Sequence, residues 1–131
     1  MKRKILSKLI EWKNKKNRKP LIVNGARQVG KTYILKEFGS HYYEKMAYVN
    51  CDKNKTLDKI FSQDYNISRI LLSLSAILHV NIEPENTLII FDEIQENPTV
   101  LNSLKYFCED ASQYHVAVAG SLLGISLHRD T

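Results

Sequence analysis

Short apolar runs recur along the chain, and turn-forming or charged residues bound each of them. The clearest run is 88–91, with the sequence LIIF, and two carboxylates follow it. Apolar runs of this length are typical of strands that are buried on both faces of a parallel sheet, and the run at 21–23 has the same character. The pattern predicts four strands, at residues 21–23, 46–50, 88–91 and 115–119.

Between these runs, apolar residues recur at the spacing of helices. An amphipathic pattern over residues 1–19 places Ile5, Leu6, Leu9, Ile10 and Trp12 on one face. Further helices are predicted over 32–38, ending at Gly39, over 67–80 and over 122–127. Two more are predicted to begin at the cap Thr56 and at Asn97-Pro98, and the second of these continues to residue 110. Strands that alternate with helices predict an α/β fold, a parallel sheet flanked by helices in a three-layer αβα arrangement with right-handed crossovers.

The composition is that of an ordinary soluble globular protein. The chain has 131 residues, of which 44% are apolar and 25% are charged, and this length allows one domain with a buried core. The longest apolar-rich stretch, 67–80, contains Arg69 and is too short to span a bilayer. Cys51 and Cys108 form no CxxC pair, which indicates reduced thiols. These features argue against membrane-spanning, secreted and disulfide-stabilised classes and favour a cytoplasmic location.

Charge is distributed unevenly along the chain. Its 19 Lys and Arg against 14 Asp and Glu give a net charge of +5. Residues 1–19 carry nine basic side chains against Glu11 alone, a net charge of +8, so the other 112 residues carry −3. This basic segment fits two interpretations. It is either a core-facing helix with solvated lysines, or a surface that contacts nucleic acid, acidic lipid or an acidic partner.

Residues 25–32, GARQVGKT, match the phosphate-binding pattern GxxxxGK[ST] at each specified position. Its glycines let successive backbone N–H groups point inward at phosphate oxygens, and the helix that follows adds its N-terminal dipole. Lys31 would reach the β- and γ-phosphates of a nucleotide, and the Thr32 hydroxyl would ligate Mg²⁺. The candidate nucleotide-binding residues are Gly25, Ala26, Arg27, Gln28, Val29, Gly30, Lys31, Thr32 and Tyr33.

Two carboxylates, Asp92 and Glu93, follow the third predicted strand. The carboxyl ends of parallel strands meet at one edge of a sheet, so Asp92 would reach Mg²⁺ beside Thr32. Glu93 would then polarise the attacking water as a general base. Ser121, after the fourth strand, either places its hydroxyl near the γ-phosphate or the water, or caps the next helix.

Other polar and aromatic residues near these strand ends have ordinary explanations. Asn50 is at the end of the second predicted strand, where a turn role is expected for it. Gln95 either contacts a ligand or belongs to the entry of the next helix. Packing within the fold is favoured over contact with a nucleotide base for Tyr33, Tyr42, Tyr43 and Tyr48.

Three stretches together resemble a known family. They are 24–32 (NGARQVGKT), 91–95 (FDEIQ) and 119–124 (AGSLLG). In combination they resemble the prokaryotic AAA-superfamily ATPases in which a P-loop domain precedes a C-terminal domain of unknown function. The resemblance implies a P-loop NTPase fold with sheet order 5-1-4-3-2. It also implies these roles: nucleotide phosphates and Mg²⁺ for Lys31 and Thr32, metal for Asp92, catalytic base for Glu93, and polar sensor for Ser121.

By comparison with that family, we expect the chain to correspond to the front part of a larger module. We expect a basic amphipathic helix over 1–19 and a partial P-loop ATPase core over 20–131, with about four strands and no fifth strand. The expected partners are a nucleotide, a protein partner or the missing C-terminal domain, and nucleic acid at the basic N-terminus.

The leading functional hypothesis is Mg²⁺-dependent ATP hydrolysis. ATP is favoured over GTP because the sequence has no Asn-Lys-x-Asp run: the segment 54–57 lacks the Asp. Two alternatives remain open at this point. One is a nucleotide-gated binding module with little turnover, and the other is a P-loop kinase that passes phosphate to a small molecule.

Overall fold

Strands and helices alternate in the structure, a computed structural model that describes residues 3–24 and 30–121. The elements are α1 (Arg3–Lys13), β1 (Leu21–Asn24), α2 (Lys31–Tyr42), β2 (Lys45–Asn50), α3 (Lys55–Gln63), α4 (Ile67–Leu78), β3 (Thr87–Asp92), α5 (Pro98–Asp110) and β4 (His115–Gly120). A short 3-10 turn, Ile94–Glu96, joins β3 to α5. The predicted helix over 122–127 and the loop 25–29 lie outside the described residues.

The strands form one parallel sheet in the order β1-β4-β3-β2. This order agrees with the 1-4-3-2 part of the arrangement that the family resemblance implies. The register pairs Asn24 with Gly120 and Asn50 with Asp92, so the last residues of the strands lie along one edge. The prediction of a parallel α/β sheet is confirmed.

Helices cover both faces of the sheet and make the third layer. Helices α1 and α2 pack on one face around Leu9, Trp12, Leu35 and Phe38. Helices α3, α4 and α5 pack on the other face, in a larger core that includes Leu57, Ile70, Leu74, Val100 and Phe107. Alternate residues of β2, β3 and β4 supply the two cores, because successive side chains point to opposite faces. The apolar face of the predicted N-terminal helix therefore packs against the sheet.

Strand β1 differs from its prediction as a strand buried on both faces. Leu21 and Val23 pack beneath α1 and α2, but Ile22 points to the other face and is 44% exposed. Within the described residues β1 pairs only with β4, so it receives less cover than β3, in which each residue is buried. An apolar run shows that a strand is buried in part, but its position in the sheet decides how much.

Helix boundaries also differ from the sequence pattern. Helix α2 continues through Gly39 to Tyr42, so this glycine does not end the helix. Instead, it allows close packing on β2, because a Cβ at Gly39 would lie 2.6 Å from Met46 Cγ. Asn54, rather than Thr56, caps α3: its side-chain oxygen accepts a hydrogen bond from the Leu57 N–H at 3.0 Å.

Two further ends come earlier than the pattern predicts. Helix α1 ends at Lys13 rather than continuing to residue 19. Helix α4 ends at Leu78 rather than at residue 80, and His79 takes the left-handed conformation that closes many helices, with φ of 55°. Helix α5 begins at Pro98, as the Asn97-Pro98 pair predicts, and Asn97 caps it by accepting hydrogen bonds from the N–H groups of Thr99 and Val100.

Candidate functional site

The carboxyl edge of the sheet brings together the ends of three strands and the beginning of α2. Asn24 ends β1, Asp92 ends β3 and Gly120 ends β4. Helix α2 begins after Gly30, whose φ of 81° lies in the left-handed region that favours glycine. In parallel α/β folds, ligands bind at this edge, beyond the carboxyl ends of the strands.

Asp92 is the centre of the hydrogen bonds at this edge. The residue is 7% exposed, and one of its carboxylate oxygens accepts hydrogen bonds from the Thr32 hydroxyl at 2.8 Å and the Tyr48 hydroxyl at 2.5 Å. The other oxygen accepts from the Glu93 N–H at 2.9 Å. The structure thus brings together Thr32 and Asp92, which are 60 residues apart in sequence. These three donors compensate the burial of the carboxylate.

Tyr48 is the residue of this cluster that sequence reasoning missed. Its side chain packs against the core beneath α1 and α2, as expected, and its hydroxyl also reaches Asp92 from β2, the strand beside β3. Burial and the neighbouring carboxylate raise the pKa of the Tyr48 hydroxyl well above its ordinary value, so it remains a proton donor at neutral pH. The Lys36 ammonium lies 3.9 Å from the centre of its ring. A tyrosine two residues before the end of a strand is the signal that could have identified it.

Glu93 is held from the side by a neighbouring amide. Gln95 Nε2 donates a hydrogen bond to Glu93 Oε1 at 2.7 Å, and Gln95 Oε1 accepts one from the Ser121 N–H at 3.1 Å. Gln95 therefore joins the residue after β3 to the residue after β4. Of the two roles considered for Gln95, helix entry describes its backbone, which lies in the 3-10 turn, while its side chain belongs to the site.

Gly120 provides the space for this bridge. Its φ is 155°, and a Cβ at this position would overlap Gln95 Oε1 and lie 3.0 Å from the Ile94 backbone nitrogen. The backbone nitrogen cannot move away as a side chain can. The close approach between the end of β4 and the 3-10 turn therefore requires glycine.

We expect Gly120→Ala to lower the free energy of unfolding by about 1–3 kcal/mol, because the added methyl group meets backbone in a strained conformation. Urea denaturation of the two proteins measures this difference. Gly39→Ala is the comparison: its methyl group also meets close neighbours, but these are side-chain atoms of Met46 and Leu88 rather than backbone. Its position inside α2 is not strained, and alanine gains helix propensity of about 1 kcal/mol over glycine there, so a smaller loss is expected. An equal or larger loss in the control would contradict the assignment of strain to Gly120.

The remaining predicted residues are placed only in part. Gly25 to Val29 lie outside the described residues, as does the Lys31 side chain. Tyr33 is 66% exposed and donates a hydrogen bond to Glu37 at 3.2 Å, so it does not pack in the core as expected. Asn50 is the last residue of β2, and its side chain has the predicted turn role, since its oxygen accepts a hydrogen bond from the Asp52 N–H at 2.9 Å.

Comparison with known proteins agrees with this geometry. A family model described as an AAA domain matches residues 17–130, most of the chain. The chain belongs to the AAA domain family. This match confirms the family that its three motif stretches resemble, and the AAA domain is a nucleotide-binding domain of the P-loop ATPase type. No curated protein matches the chain significantly.

The helices of the AAA domain also bear on its relation to membranes. In residues 3–24 and 30–121, no helix combines the length and the apolar character needed to cross a bilayer.

Proposed function

We propose that this AAA domain binds ATP with Mg²⁺ and hydrolyses it. The observation that carries the proposal is the hydrogen bond between Thr32, at the start of α2, and Asp92, at the end of β3. It joins the two halves of the predicted site, the phosphate loop and the acidic strand end. Bound ATP would lie over this edge, with its phosphates at the N-terminus of α2.

The phosphate loop supplies the affinity for the nucleotide in this proposal. Backbone N–H groups of residues 25–30 would surround the phosphates, and Lys31 would add a charge-assisted hydrogen bond. The N-terminus of α2 supports this role: Gly30 provides no side chain to cap the first turn of the helix. The first N–H groups of a helix lack intrahelical partners and suit an anion.

The Thr32 hydroxyl and the Asp92 carboxylate fit Mg²⁺, which prefers oxygen ligands. The Thr32 and Asp92 oxygens are already close together, and the Tyr48 hydroxyl donates a second hydrogen bond to the same Asp92 oxygen. When bound, Mg²⁺ would neutralise the negative charge that develops on the phosphates. The chain's own contribution is a preorganised pair of oxygen ligands. The hydrogen bond from the Tyr48 hydroxyl orients the Asp92 carboxylate as such a ligand.

Glu93 is proposed as the general base. A carboxylate beside the site of attack accepts a proton from water as the water oxygen attacks the γ-phosphorus, and ADP leaves. The hydrogen bond from Gln95 limits rotation of the Glu93 carboxylate and so helps to hold it in position for this role. Ser121, at the other end of the Gln95 bridge, is proposed as a polar contact to phosphate or water.

Removal of the Lys31 ammonium tests the binding step. We expect Lys31→Ala to weaken ATP binding by roughly 10- to 150-fold, because a hydrogen bond to a charged group is worth about 1.5–3 kcal/mol. Isothermal titration with ATP and Mg²⁺ measures the change. Lys55→Ala, at an exposed lysine of α3, removes the same charge away from the site and is expected to bind like the unmodified chain. Equal weak binding by all three proteins would contradict the proposal.

A further inference from the structure

A second polar cavity lies at the opposite edge of the sheet. It has a volume of about 420 Å³ and is lined by Lys13, Lys15, Lys16, Arg18, Glu85 and His115, together with Asn14. His115 begins β4, whereas the candidate nucleotide site lies beyond the end of this strand. The six residues of β4 separate the two sites by roughly 16 Å. The cavity is therefore a separate feature of the domain.

Arg18 brings a buried charge to this cavity, and within residues 3–24 and 30–121 no carboxylate forms an ion pair with it. The residue is 8% exposed, and its Nε and Nη1 atoms have no hydrogen-bond partner among the described residues. Its guanidinium carbon lies 6.0 Å from the centre of the Trp12 ring, which compensates only part of the lost hydration. Burial lowers the pKa of Arg18, and the acid that opposes this effect, Glu85, is itself exposed.

His115 adds another donor that lacks a partner. The Tyr43 hydroxyl lies 2.6 Å from His115 Nδ1, and burial raises the pKa of Tyr43, so the hydroxyl is the donor in this pair. Burial, with the charges of Arg18 and Lys13, lowers the pKa of His115 to about 4, so the ring is neutral at pH 7. Its proton is then on Nε2, a buried atom without a hydrogen-bond partner in the described structure.

The unpaired groups around the cavity are therefore donors. Lys15 and Lys16 are exposed at its rim, and Lys13 is half-buried with its ammonium 4.9 Å from the centre of the Tyr43 ring. These cations outnumber the acidic groups, because Glu85 is the one carboxylate among the residues that line the cavity. A phosphate group offers acceptor oxygens and negative charge and no obligatory donor, which complements such a wall.

We propose that this cavity is a second anion site of the AAA domain and that it binds a phosphate group. The bound phosphate gives the Arg18 guanidinium the counterion that residues 3–24 and 30–121 do not supply. The same chemistry is presented by a small phosphorylated compound and by the backbone of a nucleic acid. The experiment below separates these two sources by comparing pyrophosphate with a single-stranded thymidine oligonucleotide.

Trp12 provides a direct signal for binding in this cavity. It is the single tryptophan of the chain, and its ring lies next to Arg18 and 5.7 Å from His115. We expect its fluorescence to change saturably when pyrophosphate or the oligonucleotide is added at constant ionic strength. The titrations use the full chain carrying Lys31→Ala, so that the phosphate loop is weakened equally in every sample.

Two matched double variants locate the site. Lys15→Gln with Lys16→Gln is expected to weaken binding at least tenfold, as the loss of charge-assisted contacts to phosphate predicts. Lys55→Gln with Lys59→Gln removes the same charge from exposed positions of α3 and is expected to leave the affinity within about twofold. Arg18→Gln, tested separately, is expected to weaken binding as strongly as the cavity double variant.

The oligonucleotide arm identifies the source of the phosphate. Tighter binding of the oligonucleotide than of pyrophosphate, with affinity that falls as salt rises, supports a nucleic-acid backbone. Equal or tighter binding of pyrophosphate supports a small phosphorylated compound. The proposal is overturned if neither probe changes Trp12 fluorescence saturably, or if the two double variants weaken binding equally.

Discussion

Replacing Glu93 by Gln should lower the rate of ATP hydrolysis by about 10²- to 10⁴-fold, the range that general-base catalysis supplies. Gln keeps the size of the side chain and its ability to meet Gln95, but it cannot accept a proton from water at neutral pH. ATP binding should change little, because Glu93 is proposed to act on the water and not on the nucleotide. Phosphate release and ATP titration, measured on the same preparation, separate the two effects.

Glu96→Gln is the matched control for this prediction. Glu96 is exposed, three residues further along the same connection, and its substitution removes the same charge. Turnover is expected to remain near that of the unmodified chain. If Glu93→Gln retains full turnover, Glu93 is not the base. If the unmodified chain binds ATP but releases no phosphate, the nucleotide-gated binding module describes the domain better.

Replacing Phe91 by Ala should lower the free energy of unfolding by about 3–5 kcal/mol, as expected for a large aromatic side chain removed from a packed core. Phe91 is fully buried in β3. The centre of its ring lies 5.9 Å from that of Phe61 in α3, in an edge-to-face arrangement, and 6.1 Å from that of Phe107 in α5. The cavity that remains would be closed only by moving two helices. Chemical denaturation monitored by circular dichroism measures the loss.

Leu72→Ala is the control for burial. Leu72 lies on α4 and is 74% exposed, so its truncation should cost well under 1 kcal/mol. A loss for Phe91→Ala that is no larger than that of Leu72→Ala would mean that β3 is not the centre of the core. Because Phe91 precedes Asp92, ATP binding by the Phe91 variant is expected to weaken as well.

The strands were predictable because their apolar runs are short and bounded. Thr87–Asp92 and His115–Gly120 differ from the predicted ranges by one or two residues, and both are buried throughout. The helix ends were less predictable, since contacts from elsewhere in the fold decide them. Gly39 shows this: its sequence suggests a helix stop, but the approach of Met46 gives it a packing role inside α2.

The candidate site was predictable where a motif connects residue type with spacing. The pairing of Thr32 with Asp92 followed from the phosphate loop and the acidic strand end. Tyr48 was missed because its contact with Asp92 depends on the reach of a side chain between adjacent strands. The role of Gln95 was not predictable, because its two hydrogen bonds join segments that approach each other only through the turn at 94–96.

The bridge through Gln95 has a consequence for control of the domain. The side chain of Glu93 is tied to the backbone of Ser121, the residue at which the chain leaves β4. A force that displaces the chain at Ser121 would therefore rotate or release the Glu93 carboxylate without touching the nucleotide. A protein that binds beyond β4 would in this way set when the bound ATP is hydrolysed, while the affinity of ATP for the domain stays unchanged.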